Sequence, residues 1–284
     1  MILVTGATGS VGGEVLKRLS AKGERVRAVT RDRRKVCDLD LPGVEWIEGD
    51  FDRPETMEAA CSGADRAFLL TSSSDRAEAQ QVAFAVSAGR AGVGHLVKLS
   101  QLGAELDSPG RFQRYHAAVE AAIRESGLAF TFLRPNLFMQ GLLKFRTMIA
   151  AQGLFFMAAG DSRVSMIDVR DVADVAVAAL TEAGHEGKTY NLTGPEALTH
   201  DEMGERLSAA VGRKIAFVNL EPEAMRQALM GVGLPDWQVG GLSEEYAMYR
   251  AGEAAAVETG VRDALGREPR NFDTFARDYA PMFS

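Results

Sequence analysis

VTGATGSVGGEV, residues 4–15, is the stretch that decides the fold. It spaces Gly6, Gly9 and Gly12 three residues apart, after a predicted strand and at the start of a predicted helix. Side chains at such a turn would keep the backbone from a pyrophosphate, and the helix N-terminus offers free N–H groups and a positive dipole end. The strand before and the helix after supply the context that this motif requires. The stretch therefore predicts dinucleotide binding by Gly6, Thr8, Gly9, Ser10, Val11 and Gly12.

Outward from this turn, short apolar runs alternate with amphipathic stretches over the first two-thirds of the chain. Strands are predicted at residues 2–5, 25–30, 44–49, 66–71, 95–100 and 129–134. Apolar residues at helical spacing lie between them. Strand and helix in repeated alternation indicate a parallel sheet with right-handed crossovers and helices on both faces. The predicted class is α/β, with a Rossmann-type doubly wound parallel sheet.

The regular alternation of predicted strands and helices ends after about residue 135. Helices are predicted at residues 145–156, 168–184, 199–212 and 221–233, with short strands at 188–194 and 214–220. Asp168 and Thr199 are expected to cap two of these helices. The pattern predicts a small, mostly helical C-terminal lobe. We expect residues 1–150 to form an NAD(P)-binding Rossmann domain, with later strands of its sheet from about 160–195, and residues 196–284 to form a small substrate-binding lobe.

Composition limits the classes of partner. The chain has 284 residues and a net charge of −7, which argues against nucleic acid or an anionic membrane as a partner. The two cysteines, Cys37 and Cys61, have no metal-ligand spacing, so no metal is expected. No export signal and no membrane-spanning run are visible. The sequence predicts a soluble cytoplasmic protein that acts on a small molecule, and a homodimer is possible.

The charges after the second predicted strand bear on which nicotinamide cofactor binds. An acidic residue there bonds the ribose 2′-OH of NAD, whereas an arginine accommodates the 2′-phosphate of NADP. Residues 30–35 read TRDRRK, so Arg31 is the first charged residue past the strand and Asp32 follows it. A guanidinium can bind a phosphate bidentately. The sequence favours NADP(H) over NAD(H), with Arg31 at the phosphate; the alternative is a solvated basic turn with Asp32 as a cap.

The sequences of several segments resemble those of a known family. GATGSVG (6–12), GLAFTFLRPNLFMQ (127–140), VSMIDVRDVADVAVAAL (164–180) and NLTGPEALTHDEM (191–203) are similar to segments of the NmrA-like branch of the atypical short-chain dehydrogenases/reductases. That branch includes NAD(P)H quinone reductases, triphenylmethane reductase and redox-sensor proteins. The matching segments span nearly the whole chain.

The resemblance implies further cofactor contacts at the carboxyl ends of strands. Asp50 and Phe51 match the pair that the family places against the adenine. Leu70 and Thr71 should lie over the ribose, and residues 127–140 match the strand and loop that lie beside the nicotinamide. The remaining cofactor contacts expected on this basis are Ser100, His116, Pro135, Asn136 and Phe138.

Residues 112–120, FQRYHAAVE, stand where short-chain dehydrogenases usually carry Tyr-x-x-x-Lys. In the frame set by Glu120, Phe112 takes the place of that tyrosine and His116 that of the lysine. Tyr115 is one residue out of register and is expected about 100° away around the helix. His-x-x-x-Glu is itself similar to the NmrA-like quinone and dye reductases. His116 and Tyr115 are the candidate catalytic residues, and the alternative for His116 is a ribose contact or simple packing.

The acceptor chamber is less defined by sequence. Aromatic and methionine side chains suit a flat apolar acceptor, and they cluster at Phe138, Met139, Leu142, Phe145, Phe155, Phe156 and Met157. The alternative is that they form the core of the small lobe. Trp237 and Tyr246 are candidates for closing the cleft.

Three functions are open at this point. The first is an NADPH-dependent reductase of quinones or similar conjugated acceptors. The second is an NADP(H)-binding redox sensor with little turnover, which the missing Tyr–Lys pair would suit. The third, epimerase or dehydratase chemistry, ordinarily requires the tyrosine base, and Phe112 argues against it. The sequence favours the reductase, because a bound hydride donor needs few further groups.

Overall fold

Seven parallel strands form the main sheet of the computed structural model, which describes residues 1–284. They are β1 (Ile2–Val4), β2 (Val26–Thr30), β3 (Val44–Glu48), β4 (Arg66–Leu69), β5 (His95–Leu99), β6 (Ala129–Pro135) and β8 (Lys188–Leu192). Their order across the sheet is β3-β2-β1-β4-β5-β6-β8. The chain therefore switches direction at β1, between β2 and β4, which is where such sheets bind dinucleotides. The predicted doubly wound α/β fold is confirmed.

Helices cover both faces of this sheet. They are α1 (Ser10–Ala21), α2 (Pro54–Cys61), α3 (Ala77–Arg90), α4 (Arg111–Glu125), α6 (Val169–Thr181) and α10 (Gly260–Leu265). Buried apolar residues of α1, α6 and α10 form one core with the sheet, and those of α2, α3 and α4 form another. Successive residues of a strand alternate between these two cores. The face on which α4 packs is the one that matters for the site.

A smaller lobe has its own core. It contains α5 (Arg146–Gln152), β7 (Leu154–Met157), α7 (His200–Val211), β9 (Ala216–Asn219), α8 (Pro222–Gly231), α9 (Asp236–Arg250) and α11 (Phe272–Tyr279). Strands β7 and β9 pair in parallel. Its core is a cluster of 20 buried residues, separate from the two cores of the main sheet. The lobe is mostly helical, as predicted.

The prediction of one helix over residues 145–156 is wrong at its C-terminal end. The helix stops at Gln152 because Gly153 adopts the left-handed conformation, with φ of +66°. Residues 154–157 then form β7, whose pairing partner β9 lies more than 50 residues further on. Three apolar residues after a glycine carry no local signal that separates helix from strand.

Both predicted helix caps form, and part of the C-terminal segment lies against the main sheet. The Asp168 side chain accepts a hydrogen bond from the N–H of Arg170, and Thr199 forms a capping box with Glu202, so both predicted caps are confirmed. Helix α10 contacts α6 and β8, which brings part of the C-terminal segment back to the main sheet. The division into domains stays a prediction. None of the helices combines the length and the hydropathy of a membrane-spanning segment.

Candidate active site

The predicted cofactor residues form a continuous row along the carboxyl edge of the sheet. Across the sheet they are Asp50 and Phe51 (after β3), Arg31 (after β2), residues 6–12 (after β1), Leu70 and Thr71 (after β4), Ser100 (after β5) and residues 135–138 (end of β6). The sequence separates these residues by more than 130 positions, and the sheet order brings them together. This edge is where open α/β sheets bind their ligands.

Two glycines of the turn are required by the fold, and one is open to a ligand. Gly6 has φ of +63°, and a Cβ there would lie 2.8 Å from Cγ of Leu70. A Cβ on Gly12 would lie 2.1 Å from the carbonyl oxygen of Gly6. On Gly9 the Cβ would meet only that oxygen, at 3.3 Å. Gly9 therefore leaves space on the outer side of the turn, where a pyrophosphate must approach the backbone.

The N-terminus of α1 is free to bind an anion. No side chain caps the helix, and its first turn carries no acidic residue. The backbone N–H groups of Ser10, Val11 and Gly12 have no backbone acceptor. Thr8 and Ser10 are exposed, whereas the side chain of Val11 is buried in the core, so only its N–H can face a ligand. These groups suit a phosphate.

Arg31 and Asp32 play different roles at the end of β2. The carboxylate of Asp32 accepts hydrogen bonds from the N–H and from Nε of Arg34, at 3.0 and 2.9 Å, and caps the 3₁₀ turn Arg33–Val36. These bonds lower the pKa of Asp32 to about 2. The carboxylate is thus already engaged by a cation, as the cap interpretation predicts. Arg31 is exposed and forms no ion pair, so its guanidinium is available for a 2′-phosphate.

Asp50 and Phe51 are held in place after β3. The Thr56 hydroxyl accepts a hydrogen bond from the N–H of Asp50 at 2.9 Å. The Phe51 ring packs against Phe84, with ring centroids 5.7 Å apart. Both residues are half-buried at the sheet edge. Their contact with an adenine stays a prediction.

A cavity of about 830 Å³ lies at the carboxyl ends of β4, β5 and β6. Ligand sites usually have volumes of about 300–1,000 Å³. Eight predicted site residues line it: Leu70, Thr71, Ser100, Tyr115, His116, Pro135, Asn136 and Phe138. The cavity therefore joins the predicted nicotinamide end of the row to the two candidate catalytic residues.

The side chain of Asn136 is largely engaged by the protein. Its Nδ2 donates to Ser165 Oγ and to the Ala254 carbonyl, both at 2.9 Å. Its Oδ1 accepts from the N–H of Leu137 at 2.8 Å. These bonds tie the loop after β6 to the segment around residues 165 and 254. A role for Asn136 in fixing this loop is what the geometry supports.

Sequence reasoning missed Lys98, which contacts His116. Lys98 lies on β5, is fully buried, and places Nζ 2.7 Å from His116 Nδ1 and 3.2 Å from the Leu99 carbonyl oxygen. Burial lowers the pKa of Lys98 to about 7, and burial together with Lys98 lowers the pKa of His116 well below its usual value. The signal in the sequence was a lysine inside the apolar run HLVKLS (95–100).

Glu120 does not pair with Lys98. Its carboxylate accepts from Ser100 Oγ at 2.5 Å, from Arg134 Nη2 at 2.7 Å and from Arg124 Nη2 at 3.1 Å. Burial raises the pKa of Glu120, but the hydrogen bonds from Arg134 and Ser100 outweigh it and leave the pKa lowered. The glutamate that set the sequence frame is therefore a structural anchor between α4, β5 and β6.

Phe112 and Tyr115 take different positions on α4. The Phe112 ring packs 5.3 Å from Trp237, and a Cβ on Gly241 would lie 2.3 Å from the Phe112 Cζ. Gly241 of α9 thus lies over the face of this ring, and Phe112 also lines the cavity. Tyr115 reaches the cavity, and its hydroxyl lies 3.1 Å from Ser73 Oγ. Burial raises the pKa of Tyr115 to about 12, which suits a neutral hydrogen-bonding group.

The predicted aromatic acceptor chamber is mostly the core of the lobe. Met139, Leu142 and Phe155 are buried there, and of the seven residues only Phe138 lines the cavity. Trp237 packs on Phe112 and Tyr246 is fully buried, and neither residue lines the cavity. The walls instead contain an excess of acidic residues over Lys144 and Arg134: Glu105, Asp107, Glu245, Glu253 and Glu258.

Comparison with known proteins places the chain in a family. The family model described as NmrA-like matches residues 1–276. The chain belongs to the NmrA-like family. The resemblance of the glycine turn and of the later segments is thereby confirmed.

Relatives of this NmrA-like protein with assigned activities match over their whole length. It is 38% identical to the NAD(P)H azoreductase of Xenophilus azovorans, over 100% of this chain and 99% of the relative. It is 39% identical to the (4-alkanoyl-5-oxo-2,5-dihydrofuran-3-yl)methyl phosphate reductase of Streptomyces griseus, with the same coverage. Among solved structures, the NADPH-dependent quinone oxidoreductase of Escherichia coli in complex with NADPH superposes with a TM-score of 0.87 at 26% identity, covering 98% of this chain and 99% of that one.

Proposed function

We propose that this NmrA-like protein is an NADPH-dependent reductase that transfers a hydride to a quinone or a similar conjugated small molecule. The observation that carries the proposal is the cavity of about 830 Å³, which continues the row of cofactor residues past Ser100 to His116. It has room for a nicotinamide ring and a flat acceptor beside it. Holding the two at near-attack distance supplies most of the help that such a transfer needs.

The residues of this chain fit NADP(H). The unpartnered N–H groups at the start of α1 suit the pyrophosphate, and Gly9 leaves space for it. Arg31 suits the 2′-phosphate, since Asp32 is engaged by Arg34. NADPH supplies the hydride when it is bound. The protein positions the acceptor, limits water and provides hydrogen-bonding groups at His116 and Tyr115.

The acceptor class follows from what the substrates of the relatives have in common. An azo bond, a quinone and a dihydrofuranone whose ring double bond is conjugated with carbonyl groups are all electron-poor π systems. Each can accept a hydride at one atom and move the π electron pair to another. The acidic residues in the cavity walls, such as Glu253 and Glu258, favour neutral or cationic acceptors over anionic ones.

The first experiment is turnover with each cofactor. The purified protein is mixed with NADPH or NADH, and loss of reduced nicotinamide is followed with quinones, azo dyes, a triarylmethane dye and a conjugated furanone. Turnover that prefers NADPH and falls in His116→Ala supports the proposal. Tight NADPH binding with no turnover across the panel would instead favour the redox-sensor function.

A second experiment tests the cofactor preference. Arg31→Ala removes a charge-assisted contact, so the Kd for NADPH should rise about 10- to 100-fold, while the Kd for NADH stays unchanged. Arg33→Ala, an exposed arginine in the same turn, is the matched control and should change neither. Equal losses for both cofactors in Arg31→Ala would contradict the assignment. A homodimer also stays a prediction, which sedimentation would test.

A further inference from the structure

Lys98 is a buried lysine with an unusual partner. Lys98 lies on β5 between Leu69 of β4 and Phe132 of β6, and its side chain has no exposed surface. A buried charge is costly unless it is paired. Nζ nevertheless makes no ion pair, since Glu120 is taken by Arg134 and Arg124. Its contacts are the Leu99 carbonyl and the imidazole of His116. The free-energy cost of burying this ammonium group without a carboxylate partner indicates that Lys98 has a functional role.

In its ammonium form, Lys98 fixes the tautomer of His116. An ammonium group can only donate hydrogen bonds, so Nδ1 of His116 must accept at 2.7 Å and the ring proton must be on Nε2. Nε2 has no partner within the protein and is not among the buried unpartnered atoms. Because His116 lines the cavity, this Nε2–H is the group that a ligand meets.

We infer that Lys98 and His116 form a proton relay that protonates the acceptor after hydride transfer. The inference rests on the proposed function. His116 is the catalytic residue, since it touches the cavity, and Lys98 is a positioning residue that acts through it. Lys98 has no route to solvent of its own, so every proton that it gives or regains passes through the imidazole.

The hydride from the cofactor forms a bond to one atom of the acceptor double bond, and the π electron pair moves to the conjugated oxygen or nitrogen. That anion takes the proton from Nε2 of His116, and Nδ1 takes a proton from the Lys98 ammonium. The reduced acceptor, the oxidised cofactor, a neutral lysine and the Nδ1–H tautomer remain. When product leaves, Nε2 takes a proton from water in the cavity and Nδ1 returns its own to Lys98.

The charges around Lys98 set the pH range of the relay. Helix α4 presents His116 and Glu120, β6 presents Arg134, and β4 presents no ionisable side chain at this position. Burial lowers the pKa of Lys98 to about 7, with Glu120 raising it and Arg134 lowering it further. The ammonium form is the proton source, so the relay should weaken as the pH rises through about 7.

The first test uses the protein without cofactor or acceptor. The ring ¹⁵N shifts of the four histidines are recorded by NMR from pH 6 to pH 8.5. In the wild type, His116 should pass from mostly Nε2–H to a mixture with Nδ1–H as Lys98 loses its proton, with a midpoint near 7, while the ring stays neutral. In Lys98→Met this change should be absent. Unchanged His116 shifts in the wild type over this range would overturn the inference, and this measurement needs no variant.

The second test compares two acceptors. A hydroquinone anion is a phenolate, and phenols titrate near pH 10, so water can protonate it in time. The nitrogen anion left by hydride addition to an azo bond is a much stronger base and gains more from an acid in the site. In Lys98→Met, the single-turnover rate at pH 6.5 should fall about 100-fold for an azo dye and by a smaller factor for a quinone, with the Kd for NADPH unchanged. Equal losses for both acceptors would indicate a merely structural role and overturn the relay.

The two tests together distinguish failure of the relay from failure of the reductase function. A protein that reduces no acceptor but shows the His116 titration refutes the reductase, and the relay with it, while the tautomer assignment stands. A protein that reduces both acceptors with flat His116 shifts keeps the reductase and refutes the relay.

Discussion

Replacement of Lys98 by methionine should make the protein more stable, although Lys98 contacts a candidate catalytic residue. Methionine has a similar length and no charge, so it keeps the packing of the side chain between β4 and β6. It removes the cost of placing an ammonium group in a position with no exposed surface and no carboxylate partner. Replacement of a buried charge by an apolar residue of similar volume is often stabilising.

The size of the effect follows from the pKa of Lys98. Burial lowers it from 10.5 to about 7, and a change of one in pKa corresponds to about 1.4 kcal/mol. Below pH 7 the charged lysine therefore costs the folded state about 5 kcal/mol. Methionine loses the hydrogen bonds to His116 and to the Leu99 carbonyl, worth about 1 kcal/mol each. The net expected gain in the free energy of unfolding at pH 6 is about 3 kcal/mol.

The gain should depend on pH in a defined direction. Between pH 7 and 10.5 the unfolded lysine carries a proton that the folded lysine lacks, so wild-type stability rises with pH in this range. At pH 9 the remaining cost is about 2 kcal/mol, which the two lost hydrogen bonds offset. Lys98→Met and the wild type should then be about equally stable.

Urea unfolding followed by circular dichroism at pH 6 and pH 9 measures both values. Lys17→Met is the matched control, because Lys17 is on the surface of α1 with a side chain 65% exposed. It should stay within about 0.5 kcal/mol of the wild type at both pH values. A Lys98→Met protein that unfolds at lower urea at pH 6, or whose advantage is the same at both pH values, would refute the reasoning.

Three further substitutions test other parts of the site. Gly12→Ala should prevent folding or lower Tm strongly, because its Cβ would lie 2.1 Å from a backbone oxygen, whereas Gly9→Ala, with a Cβ 3.3 Å from that oxygen, should lower Tm far less and lose affinity for NADPH; thermal unfolding and cofactor titration distinguish them, and equal losses of Tm would count against the assignment. Phe112→Tyr should lower stability by about 1–3 kcal/mol without raising turnover, because the added hydroxyl must fit at a ring that is packed against Trp237 and Gly241; a rise in turnover would contradict this interpretation. Glu120→Gln should destabilise by about 3–5 kcal/mol in urea, because it removes the buried carboxylate partner of Arg134 and leaves only the exposed Glu105 at 3.8 Å; a change below 1 kcal/mol would show that other groups stabilise that guanidinium.

Local patterns in the sequence were enough for the sheet and for the phosphate end of the site. Three features depend only on residues within a few positions of one another: the glycine turn, the apolar periodicity and the two N-caps. They can therefore be predicted from the sequence alone. The NADP preference was also local, since Arg31, Asp32 and the Arg34 that engages Asp32 lie within one turn. These features predict which residues meet a dinucleotide.

The chemistry beyond the nicotinamide was decided by the tertiary structure. Lys98 and His116 are 18 residues apart and meet because β5 is flanked by β4 and β6 and covered by α4. The same packing turns Met139, Leu142 and Phe155 into the lobe core, and it places acidic residues from distant segments in the cavity walls. A lysine or a phenylalanine in an apolar run has the same local sequence whether it is buried beside a partner, packed in a core or exposed to a ligand. Only the arrangement of the surrounding elements sets its solvation and its neighbours, and these determine its pKa and its role.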